Sequence, residues 1–252
     1  MDPLSAAALA GAGLVAGGLN TLAGGGSLLL VPALMLVGAG MPADAANASS
    51  RVAILAQCAA GATTFARGGH LPTRAAWRIV PPVLAGAIAG AWFATRLPNR
   101  IFEPLLLGTL GLMALALLVN PRRFAPPPGS EPRRASGPLA LAGLFAAGVY
   151  GGVLQAGAGL VFLAILAGGL RFDLVRANAL KALVMLIYIA ATVAVFAAAG
   201  LVAWEPAAWM SAGSVVGAWG AARLAMSARG VLVTKVVVVL AVLGMGVAIA
   251  LR

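Results

Sequence analysis

The stretch "NTLAGGGSLLLVP", Asn20 to Pro32, interrupts an apolar run that extends from about residue 4 to residue 38. Each glycine destabilises a helix by about 1 kcal/mol relative to alanine, so we expect two half-helices that meet at a glycine break. A second stretch, "VLQAGAGLVFL" from Val153 to Leu163, interrupts the run at about 137–169 in the same way. Both runs are longer than the ~20 residues that one crossing of a bilayer takes. The two broken runs decide the predicted fold.

The rest of the chain is similarly apolar. Of its 252 residues, 62% are hydrophobic and 9% are charged, which leaves too few polar side chains to cover a water-soluble domain. Further apolar runs lie at about 43–66, 76–96, 101–119, 174–200, 206–226 and 230–251. Backbone polar groups in lipid must be paired within their own segment, and the runs lack the alternation of barrel strands. The sequence therefore predicts an all-α, polytopic membrane protein.

Two halves of four runs each, 1–119 and 137–252, flank a polar linker at 120–136 that is rich in proline and arginine. Three short blocks recur in the same order. These are "AGGGS" at 23–27 and "AGAGL" at 156–160, "AANASSR" at 45–51 and "RANALKA" at 176–182, and "GAWFATRL" at 90–97 and "GAWGAARL" at 217–224. We therefore predict two pseudo-symmetric repeats, each with a glycine-broken first segment and three spans.

Loop charges indicate how the halves are oriented. The net charge of +11 is spread in ones to fours between the apolar runs, which is typical of topology determinants rather than of nucleic-acid binding. If both broken runs crossed the membrane, eight basic residues would lie on one side and seven on the other. If both are re-entrant, the halves are inverted, and twelve basic residues lie on one side of the membrane and three on the other. The positive-inside rule favours inverted repeats in a bacterial inner membrane, with a cytoplasmic linker and both termini outside.

Two basic residues, Arg51 and Lys181, cannot be placed in a loop. Each follows an asparagine, Asn47 or Asn178, near the start of the second apolar run of its half. A charge inside a span costs ~2.5–3.5 kcal/mol and normally faces a polar cavity. The alternative is that both side chains snorkel to the headgroups.

Inverted repeats would bring both cations to the glycine breaks, where the N–H groups of a half-helix carry partial positive charge. The centres of the apolar runs contain no Asp or Glu, so the pattern favours an anion. The predicted substrate site consists of Asn20, Gly24, Gly25, Gly26, Ser27, Asn47, Ser50, Arg51, Gln155, Gly157, Gly159, Asn178 and Lys181. Its serines either bind the ligand or bond back to their own helices. We expect no metal and no cofactor, since the chain has one cysteine and one histidine.

The glycine-rich "AGGGSLLLVPAL" of the first segment, "AANASSRVAIL" after it, and their degenerate repeat in the second half resemble the TauE/SafE family of sulfite and organosulfur anion exporters. The resemblance covers essentially the whole chain. It implies transport of a small anion such as sulfite, a sulfonate or a sulfocarboxylate. The second half departs from the first at Ala158 and Leu160, which replace a glycine and a serine, so we expect the two half-sites to differ.

We therefore predict a secondary transporter that works by alternating access and whose partners are a small anion and the lipid bilayer, without nucleic acid. A passive anion channel, a structural membrane protein and an intramembrane hydrolase with Ser27 as nucleophile are the alternatives. The hydrolase lacks a base near the serine, because the single histidine lies in a basic loop, so we expect no enzymatic activity. Self-association as a homo-oligomer is compatible with the sequence.

Overall fold

The computed structural model describes residues 1–37, 41–119, 132, 135 and 137–227. The predicted run at 230–251 and most of the predicted linker lie outside these ranges. Regular structure within them is helical throughout. The helices are α1 (Pro3–Ala23), α2 (Ser27–Val37), α3 (Ala43–Arg67), α4 (Thr73–Ala94), α5 (Asn99–Val119), α6 (Pro138–Val153), α7 (Ala158–Leu163), α8 (Leu174–Ala198) and α9 (Trp204–Ala225). A π-helical turn, Ala164–Gly169, continues α7.

Both glycine-rich stretches interrupt their helices, as predicted. The first break, residues 24–26, begins at Gly24, whose φ of +81° places it in the left-handed region that glycine adopts without steric penalty. The second break, residues 154–157, contains two left-handed residues, Gln155 and Gly157. The breaks therefore end α1 and α6 before a new helix starts.

Each break reverses the chain. Gly26 packs directly against the carbonyl of Ala16, a residue that a straight helix would leave about 15 Å away along its axis. In the second half, Leu144 of α6 and Ile165 of the π-helical turn line one cleft, so that segment also returns along its own first helix. The pairs α1–α2 and α6–α7 are therefore helical hairpins.

Glycines join the hairpins to the opposite halves of the chain. In α1, Gly13 and Gly17 lie against the backbone of Met210 and Ser214 in α9. Small residues let helix backbones approach this closely in membrane proteins. Because the paired residue numbers rise together, α1 and α9 run parallel.

The same arrangement joins α4 and α6. Gly86 lies against the backbone of Phe145, and Gly90 against that of Val149, so these helices also run parallel. The first helix of each half thus packs closely against the helix of the third apolar run of the other half, α1 against α9 and α6 against α4.

Two long helices, α3 and α8, cross the centre in opposite directions. Arg51 near the start of α3 reaches Thr192 near the end of α8, and Gly61 faces Ala182 near the start of α8. Ser49 of α3 accepts a hydrogen bond from the N–H of Ala203, just before α9. The starts of α3 and α9 therefore lie at one end of the molecule.

The two ends differ in charge. Acidic residues at the starts of α1, α3 and α9 are Asp2, Asp44 and Glu205. Basic residues at the ends of α3 and α9 and the start of α8 are Arg67, Arg223 and Arg176. Among the described helices, α1, α4 and α8 are long and apolar enough to cross a membrane by length and composition.

Candidate substrate site

The two breaks are in direct contact at the centre. A Cβ placed on Gly24 would lie 2.5 Å from the carbonyl oxygen of Gly159, and one placed on Gly159 would lie 2.5 Å from the carbonyl oxygen of Gly24. The N–H of Gly157 donates to Ser27 Oγ across the two halves at 2.9 Å. Only glycine leaves room for this crossing. Four residues of the predicted site therefore meet at one point.

Lys181 and Asn178, from the second half, cap the last carbonyls of α1. Lys181 Nζ donates to the carbonyl of Asn20 at 2.6 Å, to that of Thr21 at 3.3 Å and to Asn178 Oδ1 at 2.7 Å. Asn178 Nδ2 donates to the carbonyl of Leu22 at 3.2 Å. Carbonyls at a helix C-terminus lack partners within the helix and carry partial negative charge, which a cation stabilises.

Arg51 and Asn47, from the first half, cap α6 in the same way. Arg51 donates through its two terminal nitrogens to the carbonyls of Gly151, Gly152 and Val153, at 2.9, 2.7 and 3.2 Å. Asn47 Nδ2 donates to the carbonyl of Val153 at 3.3 Å. Each half thus closes the broken helix of the other half with one amide and one cation.

Neither cation snorkels to the surface. Arg51 is 0% exposed and Lys181 is 2% exposed. The ion pairs within the described ranges join Met1 to Glu205 and Arg176 to Asp173, so no carboxylate of the described chain compensates either buried cation. Uncompensated positive charge in a medium of low dielectric constant attracts an anion strongly.

The cations therefore face the carbonyl ends of α1 and α6, whereas the sequence suggested that they lie beside the N–H groups of half-helices. Those N–H groups are still available at the first break. Gly25 and Gly26 donate to no acceptor among the described residues. The cations cover the carbonyl ends of α1 and α6, so the partial negative charge of these helix ends is balanced.

Several buried side-chain atoms around the breaks have no hydrogen-bond partner within the described chain. The donors are Arg51 Nε, Gln57 Nε2 and Gln155 Nε2, and the acceptors are Asn20 Oδ1, Asn47 Oδ1 and Gln57 Oε1. Buried polar atoms are nearly always paired with protein or water. Their concentration on α3 and beside the breaks indicates where a polar ligand would be held.

Sequence reasoning missed two of the buried polar residues, Gln57 and Tyr188. Gln57 is 1% exposed, and Tyr188 donates to Gln155 Oε1 at 3.1 Å. They lie 131 residues apart, which is also the spacing of Asn47 and Asn178, so a search for polar pairs at the repeat spacing would have found them.

Ser50 was predicted in the site. Its hydroxyl donates to the carbonyl of Asn47 in its own helix at 2.9 Å, which is the alternative considered for the serines. A cleft of about 620 Å³ between α6 and α7 lies apart from the cations and has an apolar lining, including Leu144, Leu160 and Ile165. It offers an anion no hydrogen-bond donors from these side chains.

Interrupted helices that meet beside buried charge inside a helical membrane protein are characteristic of membrane transporters. The sequence model of the family described as "Sulfite exporter TauE/SafE" matches residues 9–249. The chain therefore belongs to the TauE/SafE sulfite exporter family, as the resemblance implied.

Two relatives agree with this assignment. A "Probable membrane transporter protein" of Haemophilus influenzae is 27% identical over 234 residues, which are 90% of this chain and 88% of the relative. A "Probable membrane transporter protein ORF9" of Sinorhizobium sp is 26% identical over 241 residues, 96% of this chain and 89% of the relative. No solved structure matches the chain significantly. The chain is thus a membrane transporter of this family.

Proposed function

We propose that the chain is a secondary transporter of a small oxyanion of the sulfite or organosulfonate class, which binds where the two breaks cross. The observation that carries the proposal is the pair of buried cations, Arg51 and Lys181, which no carboxylate of the described chain compensates. At a distance of ~5 Å and an effective dielectric constant of ~20, each cation would stabilise a monoanion by about 3 kcal/mol. The name of the family supplies the sulfite class.

The first break complements this charge with hydrogen-bond donors. The N–H groups of Gly25 and Gly26 precede α2, a helix of 11 residues whose positive end faces the break. Arg51 Nε and Gln155 Nε2 add unpaired side-chain donors. An oxyanion accepts several hydrogen bonds on one centre, so it fits this set better than a ligand with few acceptor atoms does.

We infer further that the halves are inverted repeats. The corresponding helices of the two halves are α1 and α6, α3 and α8, and α4 and α9. The antiparallel crossing of α3 and α8, together with the parallel pairs α1–α9 and α4–α6, supports opposite directions for all three. The arginine-rich end would face the cytoplasm of a bacterial cell, by the positive-inside rule. Rocking of the halves about the crossing would expose the site to each side in turn.

Counterflow tests the proposal. Purified protein in liposomes loaded with unlabelled sulfite should take up labelled sulfite with saturation, and protein-free liposomes should not. The double variant Arg51→Met/Lys181→Met should lose this uptake. Arg74→Met removes an exposed arginine at the start of α4 and serves as the matched control, with uptake unchanged. Flux that rises linearly with sulfite would support a channel, and flux equal to that of empty liposomes would refute sulfite transport.

A further inference from the structure

Gln155 adopts a backbone conformation that side chains disfavour. Its φ is +57°, in the left-handed region, and it lies in the middle of the second break. Such a conformation costs a non-glycine residue about 1–3 kcal/mol. Two residues later, Gly157 meets the same requirement with a glycine. A glycine at position 155 would relieve this strain. The presence of glutamine there therefore points to a role for its side-chain amide.

Tyr188 fixes the orientation of that amide. Its hydroxyl donates to Gln155 Oε1 at 3.1 Å, and both residues are fully buried, at 1% and 0% exposed. The reverse orientation of the amide would leave both the hydroxyl hydrogen and the amide oxygen unpaired, which is more costly. Gln155 Nε2 is consequently left as a buried donor without a partner in the described chain.

This donor belongs to the end of the site that Arg51 occupies. The Tyr188 hydroxyl would lie 3.0 Å from a Cβ on Gly151, whose carbonyl accepts a hydrogen bond from Arg51. Arg51 Nε is unpaired as well. In contrast, the three N–H donors of Lys181 have three oxygen acceptors. Among these groups, the unpaired donors are concentrated at the second break.

We propose that Gln155 Nε2 and Arg51 Nε donate to two oxygens of the bound anion, with Tyr188 as the positioning residue for Gln155. Lys181 supplies charge without direct contact. The site would then select anions that carry at least two acceptor oxygens on one centre, such as sulfite or a sulfonate, over spherical anions such as halides. This inference rests on the proposed anion transport and assigns its specificity to the second break.

A double-mutant cycle tests the inference by titration calorimetry of sulfite and bromide on the purified full-length protein. Gln155→Gly removes the amide and relieves the left-handed strain, but it leaves the Tyr188 hydroxyl unpaired. Because each of these opposing effects is about 1–3 kcal/mol, we expect the variant to fold with a stability close to that of the wild type. We expect it to weaken sulfite binding about tenfold or more, in line with the loss of a hydrogen bond to a charged ligand. Tyr188→Phe should weaken sulfite binding by a smaller factor, and the double variant should bind sulfite no more weakly than Gln155→Gly.

Bromide separates specificity from a general structural effect, because the ratio of sulfite to bromide affinity should fall in both single variants. Thr64→Ala, which removes a hydroxyl bonded to its own helix, is the control with unchanged affinities. Additive effects in the cycle, or sulfite affinity unchanged in Gln155→Gly, would overturn the inference while leaving the proposed transport intact. Absence of sulfite binding in the wild type would overturn both.

Discussion

Replacement of Lys181 by methionine separates the two roles that the structure gives this residue, as a helix cap and as a buried charge. The substitution removes the cationic donor of the carbonyls of Asn20 and Thr21; the Asn20 carbonyl keeps its bond from the N–H of Gly24, whereas the Thr21 carbonyl is left unpaired within the described chain. An unpaired buried carbonyl costs about 1–3 kcal/mol. Removal of the charge stabilises the membrane-inserted protein by ~2.5–3.5 kcal/mol, which is the insertion cost of a cation inside a span. Because these terms oppose each other, we expect the unfolding free energy of the anion-free protein to change by no more than about 3 kcal/mol.

Anion binding has no such compensation, because nothing offsets the lost charge. The attraction between Lys181 and a monoanion at ~5 Å is about 3 kcal/mol, and its loss corresponds to roughly a hundredfold weaker binding. Thermal unfolding in detergent, with and without sulfite, measures both effects at once. Lys181→Met should unfold within about 10 °C of the wild type without sulfite, and it should gain little stability when sulfite is added.

The matched control for this experiment is Arg74→Met, which removes an exposed cation and should keep the full sulfite-dependent stabilisation. A Lys181→Met protein that is stabilised by sulfite as much as the wild type would refute the reasoning, because the buried charge would then serve the helix cap alone.

Three further predictions concern the caps and the close contacts. Arg51→Lys keeps the charge but loses the planar fork that reaches three carbonyls, so its melting temperature should fall. Sulfite should still stabilise this variant, but less than the wild type because the Nε donor is lost, which a thermal scan with and without sulfite checks. Gly159→Ala should abolish sulfite counterflow, because the added methyl group would collide with the carbonyl of Gly24, whereas Gly11→Ala, with open space around its Cβ, should transport normally. Gly213→Ala should destabilise the protein by about 1–3 kcal/mol through a clash with the backbone of α1, whereas Gly220→Ala in the same helix should not. Denaturation of the two variants side by side measures this difference in the free energy of unfolding.

Much of the fold was predictable because two strong local signals coincide. Consecutive glycines interrupt a helix whatever surrounds them, and an apolar run in lipid must be helical. The run predicted at 43–66 is helical from Ala43 to Arg67, and the run predicted at 206–226 from Trp204 to Ala225. Boundaries that depend on these signals therefore agree within a few residues.

The candidate site was predicted only in part, because its geometry depends on tertiary packing. The sequence placed Arg51 and Lys181 inside the membrane, but it does not encode which end of a half-helix each cation faces. That choice follows from the crossing of α3 and α8 over the carbonyl ends of α6 and α1. Gln57 was not predicted, because a neutral amide in an apolar run costs less free energy of membrane insertion than a charge does and is therefore a weaker sequence signal.

The position of a bound oxyanion tests the central claim most directly. Crystals soaked in selenite, a heavier analogue of sulfite, would reveal the anion by its anomalous scattering. We expect one peak at the crossing of the breaks, beside Gly24, Gly159 and Arg51, and no peak there in Arg51→Met/Lys181→Met. A peak confined to the exposed arginines at the arginine-rich end, or one at the crossing that persists in the double variant, would contradict the proposed site.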